Sequence, residues 1–159
     1  MLSTLCQQCG LCCGGSLFTF LPVSADEAGR MRALGVRLEP RRDGRTAMLL
    51  PCAALDGTRC GAYAQRPARC REFVCQLGRA VERGERSMED ALTVLGEVKR
   101  RLQALEALLG PKAAGEHRGV LQRALQAEAS GPDDVRWWEL RRGARELEAM
   151  LKHYFVGPS

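Results

Sequence analysis

Cys6-Gln7-Gln8-Cys9-Gly10-Leu11-Cys12-Cys13-Gly14-Gly15 sets four thiols within eight residues. Thiolates are soft ligands, and a Cys-x-x-Cys turn directs two sulfurs at one centre while leaving backbone amides free to donate to them. The stretch therefore reads as half of a metal site. Four further cysteines, Cys52, Cys60, Cys70 and Cys75, complete a set of eight, and none follows residue 75. The chain thus divides into a sulfur-rich N-terminal part, residues 1–85, and a cysteine-free C-terminal part, residues 86–159.

A disulfide framework is the competing use of eight cysteines, and compartment decides between the two. Met1 to Leu5 carry neither a basic stretch nor an apolar run, so no secretory leader is expected. The apolar runs are too short to span a bilayer, so no membrane is expected either. A cytoplasmic location follows, and cytosolic thiols are kept reduced, which favours metal over disulfides.

The net charge is +5, and most of it belongs to the first 85 residues, where every basic side chain is an arginine. Two four-thiolate sites holding Zn²⁺ or [4Fe–4S]²⁺ would each carry about −2. An arginine excess beside them offsets that charge. Without a basic run, and with few aromatics to stack bases, it does not call for a nucleic-acid partner.

Outward from the first cysteines, Leu17 to Leu21 reads as a short extended piece ending at Pro22 and covering the site. Ser24-Ala25-Asp26-Glu27 has capping-box spacing and predicts a helix from Ala25 to Leu34, closed by Gly35. Val36-Arg37-Leu38 and Thr46 to Leu50 flank Asp43-Gly44 and predict a hairpin. Asp56-Gly57 marks a turn. Arg66-Pro67 predicts a short helix from Pro67 to Phe73 that carries Cys70. Gly78 and Gly84 then loosen the chain towards a boundary at Glu82 to Arg86.

From Ser87 the period changes. Ala91, Leu95, Val98, Leu102, Leu105 and Leu109 step by three or four residues, the apolar stripe of a helix that Gly110-Pro111 stops. A shorter helix is expected from His117 to Ala129. A third, from Asp133 to Tyr154, carries the stripe Trp137, Leu140, Ala144, Leu147, Leu151 and Tyr154. The expected fold is mainly α with a small β-hairpin: a cysteine-rich, metal-stapled N-terminal domain, then an antiparallel helical hairpin or three-helix bundle. Those helices could also meet a protein partner or a second copy of the chain.

Eight thiols suggest two four-ligand sites. They divide either in sequence order, Cys6, Cys9, Cys12 and Cys13 against Cys52, Cys60, Cys70 and Cys75, or in an interleaved arrangement that knits distant segments together. The interleaved one is preferred, because adjacent side chains such as Cys12 and Cys13 project apart. Metal identity forks as well. Cys6-x-x-Cys9-Gly10 has the form of a zinc knuckle, and Cys6-x-x-Cys9-x-x-Cys12 has the spacing of a ferredoxin cluster.

Cys6-x-x-Cys9-x-x-Cys12-Cys13, followed by Pro51-Cys52, Cys60-x-x-Tyr63, Arg66-Pro67-x-x-Cys70-Arg71-x-Phe73 and Cys75, resembles the bacterial YkgJ-type cysteine-cluster family, the zinc- or iron-chelating CxxCxxCC domain. The resemblance covers residues 6 to 75 and implies metal chelation by the matching cysteines. A similar pattern occurs in flagellin lysine methylases, which are considerably longer; this chain has no recognisable cofactor-binding segment for methyl transfer.

Of the other matched residues, Arg66 and Arg71 can donate to thiolates or to an acidic partner, and Tyr63 and Phe73 can shield the site from water. No catalytic constellation is visible. His117 and His153 read as surface or structural residues, and one of Trp137 and Trp138 as core. The function expected is metal binding through cysteine thiolates. The alternatives are a redox or catalytic iron–sulfur protein and an accessory subunit of a modification enzyme such as a protein methylase.

Overall fold

The computed structural model describes residues 2–157. Capping chemistry fixes the helix starts that the sequence marks. The Ser24 side chain accepts from the Glu27 amide while Glu27 reaches back to the Ser24 amide, opening α2 at Ala25–Ala33. Ser87 caps α5, Met88–Leu109, and Asp134 caps α7, Val135–Leu151. Around them lie α1 (Leu2–Cys9), α3 (Ala68–Glu72), α4 (Gln76–Glu82) and α6 (Val120–Gln126), and the chain leaves α7 through a π-helical turn at Lys152–Val156.

Strands β1 (Phe20–Val23), β2 (Leu38–Pro40) and β3 (Thr46–Leu49) form an antiparallel sheet in the order β1-β3-β2. Register pairs Phe20 with Leu49 and Val23 with Thr46 on one side, and Leu38 with Met48 on the other. The expected hairpin is present as β2–β3, and the Leu17–Leu21 segment adds a third strand that starts later and runs through Pro22. Pro22 is tolerated because β1 is an edge. The Asp56-Gly57 turn closes a second small hairpin, β4 (Leu55–Asp56) with β5 (Arg59–Cys60), in which Gly57 has φ 59°.

Apolar side chains collect in two clusters. One holds Val23, Ala28, Met31, Val36, Met48, Leu50, Cys52 and Ala62, between the sheet, α2 and the chain after β3. The other takes the stripes of α5, α6 and α7, which pack pairwise on one another, with Leu5 of α1, Leu11 and Leu77 of α4. Helix α1 lies against α4 and α5, and α4 against α5 and the Lys152–Val156 turn. The cysteine-rich segment and the C-terminal helices therefore share this second core. Trp137 is half-buried and donates its indole N–H to the Ala127 carbonyl at 2.8 Å, whereas Trp138 is exposed.

Candidate metal centre

Cys6 and Cys9 sit three residues apart on α1, on one helix face. The Cys-x-x-Cys segment is thus the last turn of a helix rather than the open turn expected. Gly10, at φ 71°, reverses the chain into a tight loop in which the Gly14 amide donates to the Gly10 carbonyl at 2.7 Å and the Ser16 amide to the Leu11 carbonyl at 3.0 Å. Cys12 and Cys13 lie in that loop.

The other four thiols are brought in by separate elements. The Cys52 amide donates to the Cys13 carbonyl at 2.8 Å, tying the chain after β3 to the first loop. Cys60 ends β5, and Cys70 lies on α3. Cys75 is the N-cap of α4, its Sγ accepting from the Gly78 amide at 3.3 Å. Helix α3 is held in turn by Glu27, whose Oε1 accepts from the Ala68 amide at 2.7 Å while its Oε2 serves the capping box. That long-range role has no sequence signal beyond the capping box itself.

All eight cysteines line one cavity, and all eight are free thiols. Phe18, Leu21, Met31, Met48 and Leu50 supply its apolar wall. Phe73 meets Phe18 edge-on with ring centroids 4.9 Å apart. At the rim, the Arg66 guanidinium stacks over the Tyr63 ring at 3.7 Å and donates to the Tyr63 carbonyl at 3.2 Å. Arg71 lines an adjoining cleft with Cys6, Cys9, Cys70 and Cys75. His117 and His153 line neither space: the His117 carbonyl accepts from Arg37, and the His153 ring packs on Tyr154.

Among the described residues no three Cys, His, Asp or Glu side chains converge closely enough to hold an ion as they stand. The sulfurs stand around the cavity wall.

Burial is the main influence on these thiols. It pushes Cys9 up to about 11, Cys13 up to about 12 and Cys70 up to about 11, and it raises Cys6, Cys12, Cys52 and Cys75 as well. Neighbouring sulfurs add to the rise. Cys12 feels Cys9, Cys13, Cys75 and Cys6; Cys13 feels Cys60, Cys52 and Cys70 ahead of Cys9; Cys70 feels Cys52 and Cys60. Arg66 acts in the opposite sense on Cys6 and Cys70, and Lys99, which donates to the Gln8 carbonyl, does so on Cys9. Bare thiolates here would be poorly solvated and mutually repelling. A bound cation removes both penalties, and an all-sulfur donor set suits zinc or an iron–sulfur cluster.

A family model, CxxCxxCC, described as "Putative zinc- or iron-chelating domain", matches residues 5–91, more than half of the chain. No curated protein and no solved structure matches it. No helix among the described residues is long and apolar enough to cross a membrane.

Proposed function

Because the chain belongs to the CxxCxxCC family of zinc- or iron-chelating domains, we propose that it is a metal-binding protein whose ligands are the thiolates of Cys6, Cys9, Cys12, Cys13, Cys52, Cys60, Cys70 and Cys75. The observation that carries this reading is the single cavity lined by all eight free cysteines, drawn from segments up to 69 residues apart in the chain. Residues 1–85 are the metal-holding unit, and the C-terminal helices are a packing or partner surface.

A closed four-thiolate zinc site has no open position for substrate and serves the fold; an iron–sulfur cluster in the same ligands supplies one-electron chemistry. What the chain contributes in either case is the same. It holds the sulfurs in an apolar pocket, excludes water with Phe18, Phe73 and Tyr63, and sets arginine charge at the rim against the anionic centre.

The test is elemental analysis with an absorption spectrum of the full chain purified without oxygen. Zinc bound to a colourless protein gives the structural centre, and iron with sulfide in a brown one gives the cluster. Protein that carries no transition metal and takes up neither zinc nor iron would overturn the proposal.

A further inference from the structure

We infer that the eight cysteines form two separate four-thiolate centres that interleave along the chain: Cys6, Cys9, Cys12 and Cys75 in one, and Cys13, Cys52, Cys60 and Cys70 in the other. This rests on the metal-binding reading above and assigns its ligands.

Two features of the fold together divide seven of the thiols in this way, and Cys12 completes the first set of four. The first is the apolar surroundings. Cys9 and Cys75 pack against the cluster built on α5, α6 and α7, whereas Cys52 belongs to the cluster between the sheet and α2, and Cys13, Cys60 and Cys70 pack against that one. The second is the backbone. Helix α1, with Cys6 and Cys9, lies directly on α4, whose N-cap is Cys75. The Cys52 amide is hydrogen-bonded to the Cys13 carbonyl, and the turn from Cys52, whose carbonyl accepts from the Leu55 amide at 3.0 Å, leads into the β4–β5 hairpin that ends at Cys60.

The division falls between Cys12 and Cys13, adjacent residues in the tight loop that follows α1. Two metal centres held by one loop explain why the cavity is continuous while its walls belong to different cores.

The metal content of full-length cysteine-to-serine variants, relative to wild type, tests the assignment. Cys9→Ser and Cys60→Ser should each keep half. Cys75→Ser combined with Cys9→Ser should still keep half, because both strike one centre, whereas Cys75→Ser combined with Cys60→Ser should keep none. The reverse pattern, in which the Cys60/Cys75 pair keeps half and the Cys9/Cys75 pair keeps none, overturns the interleaved division in favour of sequence order.

If the variants do not fold, wild-type protein titrated with a chelator and pulsed with N-ethylmaleimide gives the grouping directly by peptide mapping. Cys6, Cys9, Cys12 and Cys75 should become modified as one set, and Cys13, Cys52, Cys60 and Cys70 as another. Mixed sets, or all eight released together, overturn the assignment. Wild-type protein that binds no metal overturns instead the reading on which it rests.

Discussion

Gly119 touches the cysteine loop more closely than any side chain would permit. A Cβ built there would lie 2.8 Å from the Gly14 carbonyl oxygen and 3.3 Å from that of Gly15, backbone atoms that cannot swing aside. Its φ of −68° is ordinary, so closeness alone excludes a larger residue. Gly119→Ala should therefore cost about 1–3 kcal/mol by overpacking and loosen the loop that carries Cys12 and Cys13, read as a lower urea midpoint and weaker metal retention. Gly96, inside α5 with nothing within 4 Å of its Cβ position, is the control. Gly96→Ala should gain up to about 1 kcal/mol from helix propensity; a Gly119→Ala variant as stable as wild type, or a Gly96→Ala variant less stable than wild type, would contradict the reading of that site. Arg123 is a different case, 8% exposed, with Nη2 donating to the Gly110 carbonyl at 3.3 Å and Nη1 without a hydrogen-bond partner among the described residues. A half-satisfied buried cation contributes little, so Arg123→Met should leave the urea midpoint unchanged or raise it.

Among the elements, α2 and α3 are joined by one carboxylate. Glu27 closes the capping box of α2 and accepts from the first amide of α3, and those N–H donors hold its carboxyl below the usual range. Glu27→Ala should cost about 1 kcal/mol through the lost cap and should weaken metal binding through Cys70, whereas Ser24→Ala should lower stability and spare the metal. Equal metal loss in the two variants would sink the link to α3. The capping box is legible in Ser24-x-x-Glu27, as are the β2–β3 hairpin in Asp43-Gly44 and α5 in its stripe after Ser87, because each is local. Two helices are not legible for the opposite reason. Helix α1 looks like a metal turn, and α4 looks like a loop at Gly78 and Gly84; they form because Leu5 and Leu77 bury into the core of α5, α6 and α7. Helix α6 starts at Val120 rather than His117, the preceding residues being held against Gly14, Gly15 and Arg37. The same limit applies to the centre. The eight candidate ligands stand out by spacing, but their neighbours depend on which elements meet, and no local pattern encodes that.

At the scale of the whole molecule the buried thiols make stability depend on pH and metal together. Cys9, Cys13 and Cys70 are raised by burial to about 11, 12 and 11, while an unfolded cysteine ionises near 8.5. The folded metal-free chain then holds protons that the unfolded chain gives up, so its stability is full below about pH 8.5 and falls as pH rises towards 11 to 12. Ligation reverses the sign. Each thiol that binds metal surrenders its proton, so uptake should release protons and tighten as pH rises from about 6 to 8. Because Leu5, Leu11 and Leu77 lie in the same core as the C-terminal helices, the effect should reach α5 and α7 as well as the cysteine loops. Thermal melts followed by helical circular dichroism, with and without chelator, at pH values from 6 to 10, should show the metal-free midpoint dropping above pH 8.5 while the loaded midpoint holds or rises. A metal-free midpoint that stays level to pH 10 would place the cysteine sulfurs in water rather than in the shared interior, and uptake without proton release would mean that the metal is not held by these thiols.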